Sequence, residues 1–355
     1  MSIDNDQDPS SQAGGGTDEA EAAEQPQRTG VEEPLLFERI FLEKVWGGRA
    51  LEASLGIELP DAIPVGETWE LSDRADHNSV IAQGGCTGRE LRGLMMSSVE
   101  SLLGKARPSV NGAFPLLIKY LDAAQPLSVQ VHPDHVAAKR LGVEGGKTEC
   151  WYILSAEPGA LIYLGLKPDV DATTFAEKAA GPDVVDLLMP YEVEAGQFVF
   201  VPAGTVHAIG AGITLAEVQE NCDVTFRLYD WGRLGLDGKP REAHVEEALL
   251  AMQYDQELAG PVTPDLSGDL CRHTTLVDCE AFRVELYDLA GRVDFDTESL
   301  PNVYMALAGK GVLRSGDREL PVEAGDVWLV PAVVGAHALE LDGEELRVLR
   351  VTAPE

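Results

Sequence analysis

The chain reads as a mainly β protein, two β-barrel domains with accessory helices, and three observations predict that class. Short runs rich in β-branched and aromatic residues recur between glycines and prolines, at 126–131, 150–154, 160–163, 197–201, 214–217 and 225–229. Helical periodicity is confined to patches at 90–103, 135–141, 171–188 and 242–252, so helices are additions to a β core. The third observation is an internal echo. Val193-Glu194-Ala195-Gly196, followed by an apolar run ending in Pro202-Ala203, returns as Val322-Glu323-Ala324-Gly325 with Pro331-Ala332 at the same spacing. In each copy glycine supplies a tight turn and proline marks the strand's end, where the chain bends towards a histidine. One strand-turn-strand unit is thus used twice, which places the two barrels at about 34–260 and 261–355.

Ordered structure is expected from Pro34, where Leu35, Leu36, Phe37, Ile40 and Phe41 supply the first apolar cluster. Residues 1–33 carry many acids, a single arginine and almost no large apolar residue, so they cannot offset their own ordering entropy and read as a disordered acidic tail. Over the whole chain, 60 acidic residues against 27 basic ones give a formal charge of -33. That excess repels polyanions, excludes nucleic acid as a partner, and suits solubility in a salty or crowded cytoplasm. Apolar runs such as 198–203 are far below the roughly 20 residues of a membrane span, and the N-terminus has neither the basic start nor the apolar centre of a signal peptide. A cytoplasmic protein with no membrane partner is expected. Five scattered cysteines without a C-x-x-C pair fit free, mostly buried thiols in a reducing compartment.

Chemistry concentrates in three stretches. In Ser128-Val129-Gln130-Val131-His132-Pro133, Gln130 and His132 are two apart, so on a strand they project from one face. Lys147 and Glu149 repeat that spacing on the next expected strand, and Gly196-x5-Pro202-x-Gly204-x2-His207 brings a further imidazole to the start of a strand. Gln130, His132, Glu149 and His207 together offer one amide oxygen, two imidazoles and one carboxylate, a set suited to zinc with a position left for substrate or water. One carboxylate against a dication leaves a centre near +1, able to polarise a carbonyl. The stretch 217–233 interleaves acids, an amide, Arg227 and Arg233 with apolar residues, an unusual polar load for a barrel strand.

These residues resemble the type I phosphomannose isomerases. The family's Q-x-H-P stands as Gln130-Val131-His132-Pro133, its G-K-x-E as Gly146-Lys147-Thr148-Glu149, and its P-A-G-x-x-H-A as Pro202 to Ala208. Its E-x-x-x-x-S-D-x-x-x-R runs from Glu217 through Asp223 to Arg227, with Cys222 where the family often has serine. Lys44 to Gly48 and Gly66 to Ser72 look like N-terminal signatures of the short bacterial form, and the likeness weakens after residue 250. The resemblance implies two cupin-like (jelly-roll) barrels and one Zn2+ per chain on Gln130, His132, Glu149 and His207. It further implies interconversion of mannose 6-phosphate and fructose 6-phosphate through an enediol. Arg227 would be catalytic, with Lys147, Glu217 and Asp223 at other active-site positions and Ser128 and Arg233 near the substrate phosphate. The general base stays open between Glu217 and Asp223. The second unit keeps His337 but lacks Q-x-H and G-K-x-E counterparts, so no metal is expected there. The implied partner is a small sugar phosphate, and the chain is expected to be a monomer or weak homo-oligomer. An iron dioxygenase on the same fold would present two histidines and one carboxylate with open positions, one of which Gln130 would fill.

Overall fold

The computed structural model describes residues 31–61, 63–268 and 271–355. Most of the expected acidic tail, residues 1–30, lies outside the described residues. The tail's expected last residues are already folded: Val31 is fully buried in the main core, and Glu33 pairs with Arg318 at 2.9 Å.

Three antiparallel sheets form the structure, and the middle one decides the rest. Its six strands run in the order Phe198–Val201, Glu149–Ala156, Ile213–Glu220, Leu116–Ala123, Val65–Leu71 and Ile40–Gly48. Alternate residues of this sheet go to two different cores. Ile118, Tyr120, Cys150, Tyr152, Ala216 and Val218 pack with Val284, Leu286, Val303, Met305, Leu349 and Val351 of the C-terminal sheet. The opposite face packs Leu121, Trp151, Ile153, Val199 and Leu215 against Ile162, Leu164 and Ile209 of a five-stranded sheet. Because both faces are covered, Val65–Leu71 and Leu116–Ala123 are buried at every position, and they lack the in-out alternation that marks a half-exposed strand. This is why neither stands among the expected strands.

The five-stranded sheet runs Phe226–Tyr229, Val129–Val131, His207–Ile209, Leu161–Leu166 and Leu188–Glu192. Its outer face, through Val129, Val131, Ala208, Phe226 and Leu228, is covered by Phe175, Ala248 and Ala251 of two helices. The helical patches fall where periodicity put them, but in shorter pieces. The patch at 135–141 is the helix His135–Leu141, capped by Asp134 Oδ1 accepting from Ala137 N at 2.6 Å. The patch at 171–188 breaks at Gly181 into Ala172–Lys178 and a 3-10 turn, Pro182–Leu187. The patch at 90–103 is two helices, Leu91–Ser97 and Val99–Leu103. No helix among the described residues is long and apolar enough to cross a membrane. None of the five cysteines is in a disulfide, and three of them are buried.

In the nine-stranded C-terminal sheet the long strands Asn302–Ser315 and His337–Thr352 pair with each other. The N-terminal strand Leu35–Phe37 joins this sheet, pairing with Val327–Val330. The internal echo is structural as well as sequential. Gly196 and Gly325 take φ of 89° and 91°, and each donates its N–H at 2.8 Å to a neighbouring strand, to Ile153 O and Ala306 O. His207 and His337 then place Nδ1 at 2.9 and 2.8 Å from the carbonyl two residues before, of Thr205 and Gly335. The copies part company at Nε2: that of His337 meets the Tyr304 hydroxyl at 2.7 Å, whereas that of His207 faces a carboxylate.

Leu35 has no exposed surface and ties the start of the folded chain to its far end. Leu35→Ala is expected to cost about 2–5 kcal/mol in urea unfolding, the range for a buried leucine. A loss below about 1 kcal/mol would mean that this strand is not part of the cooperative core.

Candidate active site

Strand register assembles the site from the two facing sheets. In the five-stranded sheet Gln130 is the cross-strand partner of His207 on one side and of Arg227 on the other, so the three side chains form a row on one face. In the six-stranded sheet the matching row is Trp151, Glu217, Lys119 and Trp69, with Glu149 beside Gln219 one step along. Both rows face the space between the sheets, where a cleft of about 270 Å³ is lined by Ser128, Gln130, Lys147, Glu149, Glu217, Asp223 and Arg227 among others. A larger cleft of about 670 Å³ lies behind Gly146, Thr148 and Cys222, but none of the expected site residues lines it.

His132, Glu149 and His207 are buried and have ligand atoms within 4.8 Å of one another. Both imidazoles are oriented by main chain, His132 Nδ1 lying 2.8 Å from Val224 O and His207 Nδ1 2.9 Å from Thr205 O. A proton held on each Nδ1 leaves the Nε2 lone pairs aimed at Glu149, at 3.5 and 3.4 Å. Burial drives His132 well below the ordinary histidine value and His207 down to about 4, so both rings are neutral at pH 7, as a metal ligand must be. Glu149 Oε2 is buried without a well-formed hydrogen bond. Gln130 Nε2 sits 3.3 and 3.2 Å from the two imidazole Nε2 atoms, while Ser128 donates to Gln130 Oε1 at 3.0 Å. Half a turn of that amide would present its oxygen to the same point, and amide orientation is set by its partners. Two neutral imidazoles, a buried carboxylate and an amide fit a divalent cation.

Lys147 precedes the strand that begins at Glu149 rather than lying on it. Its Nζ nevertheless reaches Glu149 Oε2 at 3.1 Å and His132 Nε2 at 3.2 Å. Burial works against its charge, but Glu149 outweighs that and raises its pKa. Glu217 accepts from Trp151 Nε1 at 3.1 Å, and burial followed by the charge of Glu149 pushes its pKa upward. Asp223 is more open and lies 3.7 Å from Lys119. Arg227 reaches the cleft with Nη1 donating to Glu242 O at 3.0 Å and Nε buried without a partner. Arg233 does not line the cleft: Nε and Nη2 are held by Asp230 Oδ1 at 3.1 and 2.7 Å.

Lys119, Arg241 and His244 share the cleft wall without having been singled out in the sequence, and so do Lys44 and Glu67, which the N-terminal signatures contain without assigning them a site role. Lys119 is the most telling. It is buried, lies 3.5 Å from Glu67 and 3.4 Å from Glu217, and stands 4.9 Å over the Trp69 ring. Burial opposes its charge and the surrounding carboxylates overcome it, raising its pKa. Glu67 shows the reverse balance, since burial would raise its pKa but Lys119 and then Lys44 hold it well below the usual carboxylate range. A lone lysine in the apolar run Leu116-Leu117-Ile118-Lys119-Tyr120-Leu121 was the available signal, because a cation does not enter a core strand without partners.

The family model "Phosphomannose isomerase type I, catalytic domain" matches residues 35–152, and "Mannose-6-phosphate isomerase, cupin domain" matches 272–352. The chain is 36% identical over 312 residues to the mannose-6-phosphate isomerase ManA of Bacillus subtilis, spanning 87% of this chain and 96% of that protein. The crystal structure of the mannose 6-phosphate isomerase from Bacillus subtilis superposes with a TM-score of 0.80 at 30% identity, covering 90% of this chain and 99% of the other. A zinc-bound holo mannose 6-phosphate isomerase shares the fold, with a TM-score of 0.71 at 19% identity over 91% of this chain and 100% of that one.

Lys119→Met would leave Glu67 and Glu217 buried without their shared cation, and is expected to cost about 3–5 kcal/mol in denaturant unfolding. Without Lys119 the folded pKa of Glu217, already raised by burial and by Glu149, rises further, while Glu67 keeps Lys44 at 2.9 Å. The Glu217 contribution is present below its unfolded pKa and lost as pH rises, so the deficit against the parent chain should widen between about pH 5 and pH 8. An equal deficit at both ends would contradict the pairing.

Proposed function

Because this chain belongs to the type I phosphomannose isomerase family and is a mannose-6-phosphate isomerase, we propose that it interconverts mannose 6-phosphate and fructose 6-phosphate with one zinc ion held by Gln130, His132, Glu149 and His207. The observation that carries this reading is the convergence of His132 and His207 on Glu149, which lines a cleft together with Gln130, Lys147, Glu217 and Arg227. When bound, zinc supplies a Lewis acid that polarises the sugar's oxygens at C1 and C2. The structure of a zinc-bound relative with the same fold supports that choice of ion.

The chain's own residues then account for the proton traffic. Converting the open-chain aldose to the ketose breaks the C2–H bond, forms a C1–H bond and moves a hydroxyl proton from O2 to O1, through an enediol. Glu217 is the base at C2: it is buried, its carboxyl is aimed by Trp151, and its raised pKa brings it closer to the range where a carboxylate both takes and returns a proton. Asp223 also lies within reach of Lys119, and its greater exposure makes it the weaker choice. Arg227 and Lys147 steady negative charge developing on the oxygens, in a site with little water to screen it. Ser128 donates towards Gln130 and borders the space for substrate, and Arg233 supports the phosphate end. The division is a catalytic unit, 34–260, and a non-catalytic one, 261–355, in a cytoplasmic enzyme that is monomeric or weakly associated.

A coupled assay should show turnover of mannose 6-phosphate that a chelator abolishes and zinc restores. His132→Ala is expected to lose most of its zinc, whereas Arg227→Ala should keep zinc and lose about 10²–10³-fold in kcat. Full activity in the chelated protein would sink the metal role, and wild-type kcat in Arg227→Ala would remove the arginine from the chemistry.

A further inference from the structure

Three arginines, Arg227, Arg233 and Arg241, stand close together, and two of them, Arg233 and Arg241, share the carboxylate of Asp230. After the strand Phe226–Tyr229 the chain makes a hairpin, with a bridge between Leu234 and Pro240 and Gly235 N donating to Lys239 O at 2.7 Å. The hairpin returns Arg241 to the cleft wall beside Arg227. Its base is fixed by Trp231, which adopts φ 57° and donates Nε1 to Leu127 O at 2.6 Å. Asp230 sits at the centre. Arg241 Nε donates to Oδ2 at 2.7 Å and Nη2 to Oδ1 at 2.6 Å, while Arg233 takes Oδ1 from the other side.

Charge and donor count point the same way. Three guanidiniums, Arg227, Arg233 and Arg241, against the single carboxylate Asp230 leave a local charge of +2 in a chain whose formal charge is -33. A phosphomonoester carries close to two negative charges at neutral pH. Arg227, which lines the cleft, has its Nε buried without an acceptor, an arrangement that costs free energy unless something supplies an oxygen. Arg241 lines the cleft and Arg233 does not, so Arg241 is the member of the Asp230 pair that a ligand in the cleft meets. We infer that Arg241, held in place by Asp230, binds the phosphate group of the sugar phosphate, with Arg227 beside it and Arg233 supporting Asp230 from behind. This rests on the isomerase reading and adds to it a specificity residue and its positioning carboxylate.

The test uses zinc-loaded protein, with KM for mannose 6-phosphate and calorimetric affinity for inorganic phosphate as parallel readouts. Arg241→Gln should weaken both by about 10- to 100-fold, the loss of hydrogen bonds to a charged group. Arg241→Lys should fall between, because an ammonium keeps the charge but cannot grip Asp230 through two nitrogens. Asp230→Asn separates positioning from net charge. It adds positive charge, so summed charge alone would tighten phosphate binding, whereas loss of positioning weakens it several-fold. Arg292→Gln, an exposed change of equal charge in the C-terminal sheet, should alter neither constant. Wild-type constants in both Arg241 variants would overturn the assignment, and tighter binding by Asp230→Asn would overturn the positioning role. Failure of the parent chain to isomerise the sugar would instead strike the proposed function, while the calorimetric arm still tests Arg241.

Discussion

The buried charge of Lys119 constrains everything around it. A cation inside a sheet covered on both faces is tolerable only if carboxylates surround it, and Glu67, Glu217 and Asp223 do so from two neighbouring strands and a turn. Those acids fix which face of the six-stranded sheet looks into the cleft, because the opposite face is committed to the apolar core shared with the C-terminal sheet. The same choice of face aims Glu149 at His132 and His207. Polar side chains meet here because apolar packing has closed the other direction.

Electrostatic roles differ among the groups of the cleft. The neutral imidazoles and Glu149 form a group that could hold a dication, and Lys147 stands against the same carboxylate. Glu217 has its carboxyl raised by burial and by Glu149, while Glu67 is held low by two lysines. These are chemically alike carboxyls pushed in opposite directions by their neighbours, the arrangement that lets one exchange protons while the other remains a fixed charge. Arg227, the cross-strand partner of Gln130, brings the arginine cluster on Asp230 to the same cleft.

Much of the candidate site was legible in the sequence because donor side chains on or just beyond a strand obey a spacing rule. Gln130 and His132, two apart, had to share a face, and the Pro202 to His207 loop had to deliver an imidazole to a strand. Arg241 was not legible. It lies beyond a hairpin whose sequence, Leu234-Gly235-Leu236-Asp237-Gly238-Lys239-Pro240, reads only as a turn, and nothing local says that its far arm comes back to the cleft. Arg233 was the expected phosphate contact because it matches a family position near the substrate phosphate, yet after the turn at Trp231 it is held by Asp230 and does not line the cleft.

The sequence by itself determined the β class, the repeated Gly-to-Pro unit and the identity of the metal-type donors, since each depends on residue types at short, fixed separations. Only the tertiary structure decided that Leu35–Phe37 belongs with the C-terminal sheet, that Lys119 anchors the cleft, and that Arg241 faces the space Arg233 misses. Those outcomes turn on which sheets cover which faces and how distant strands register. Local spacing constrains a face, but long-range packing chooses what that face meets.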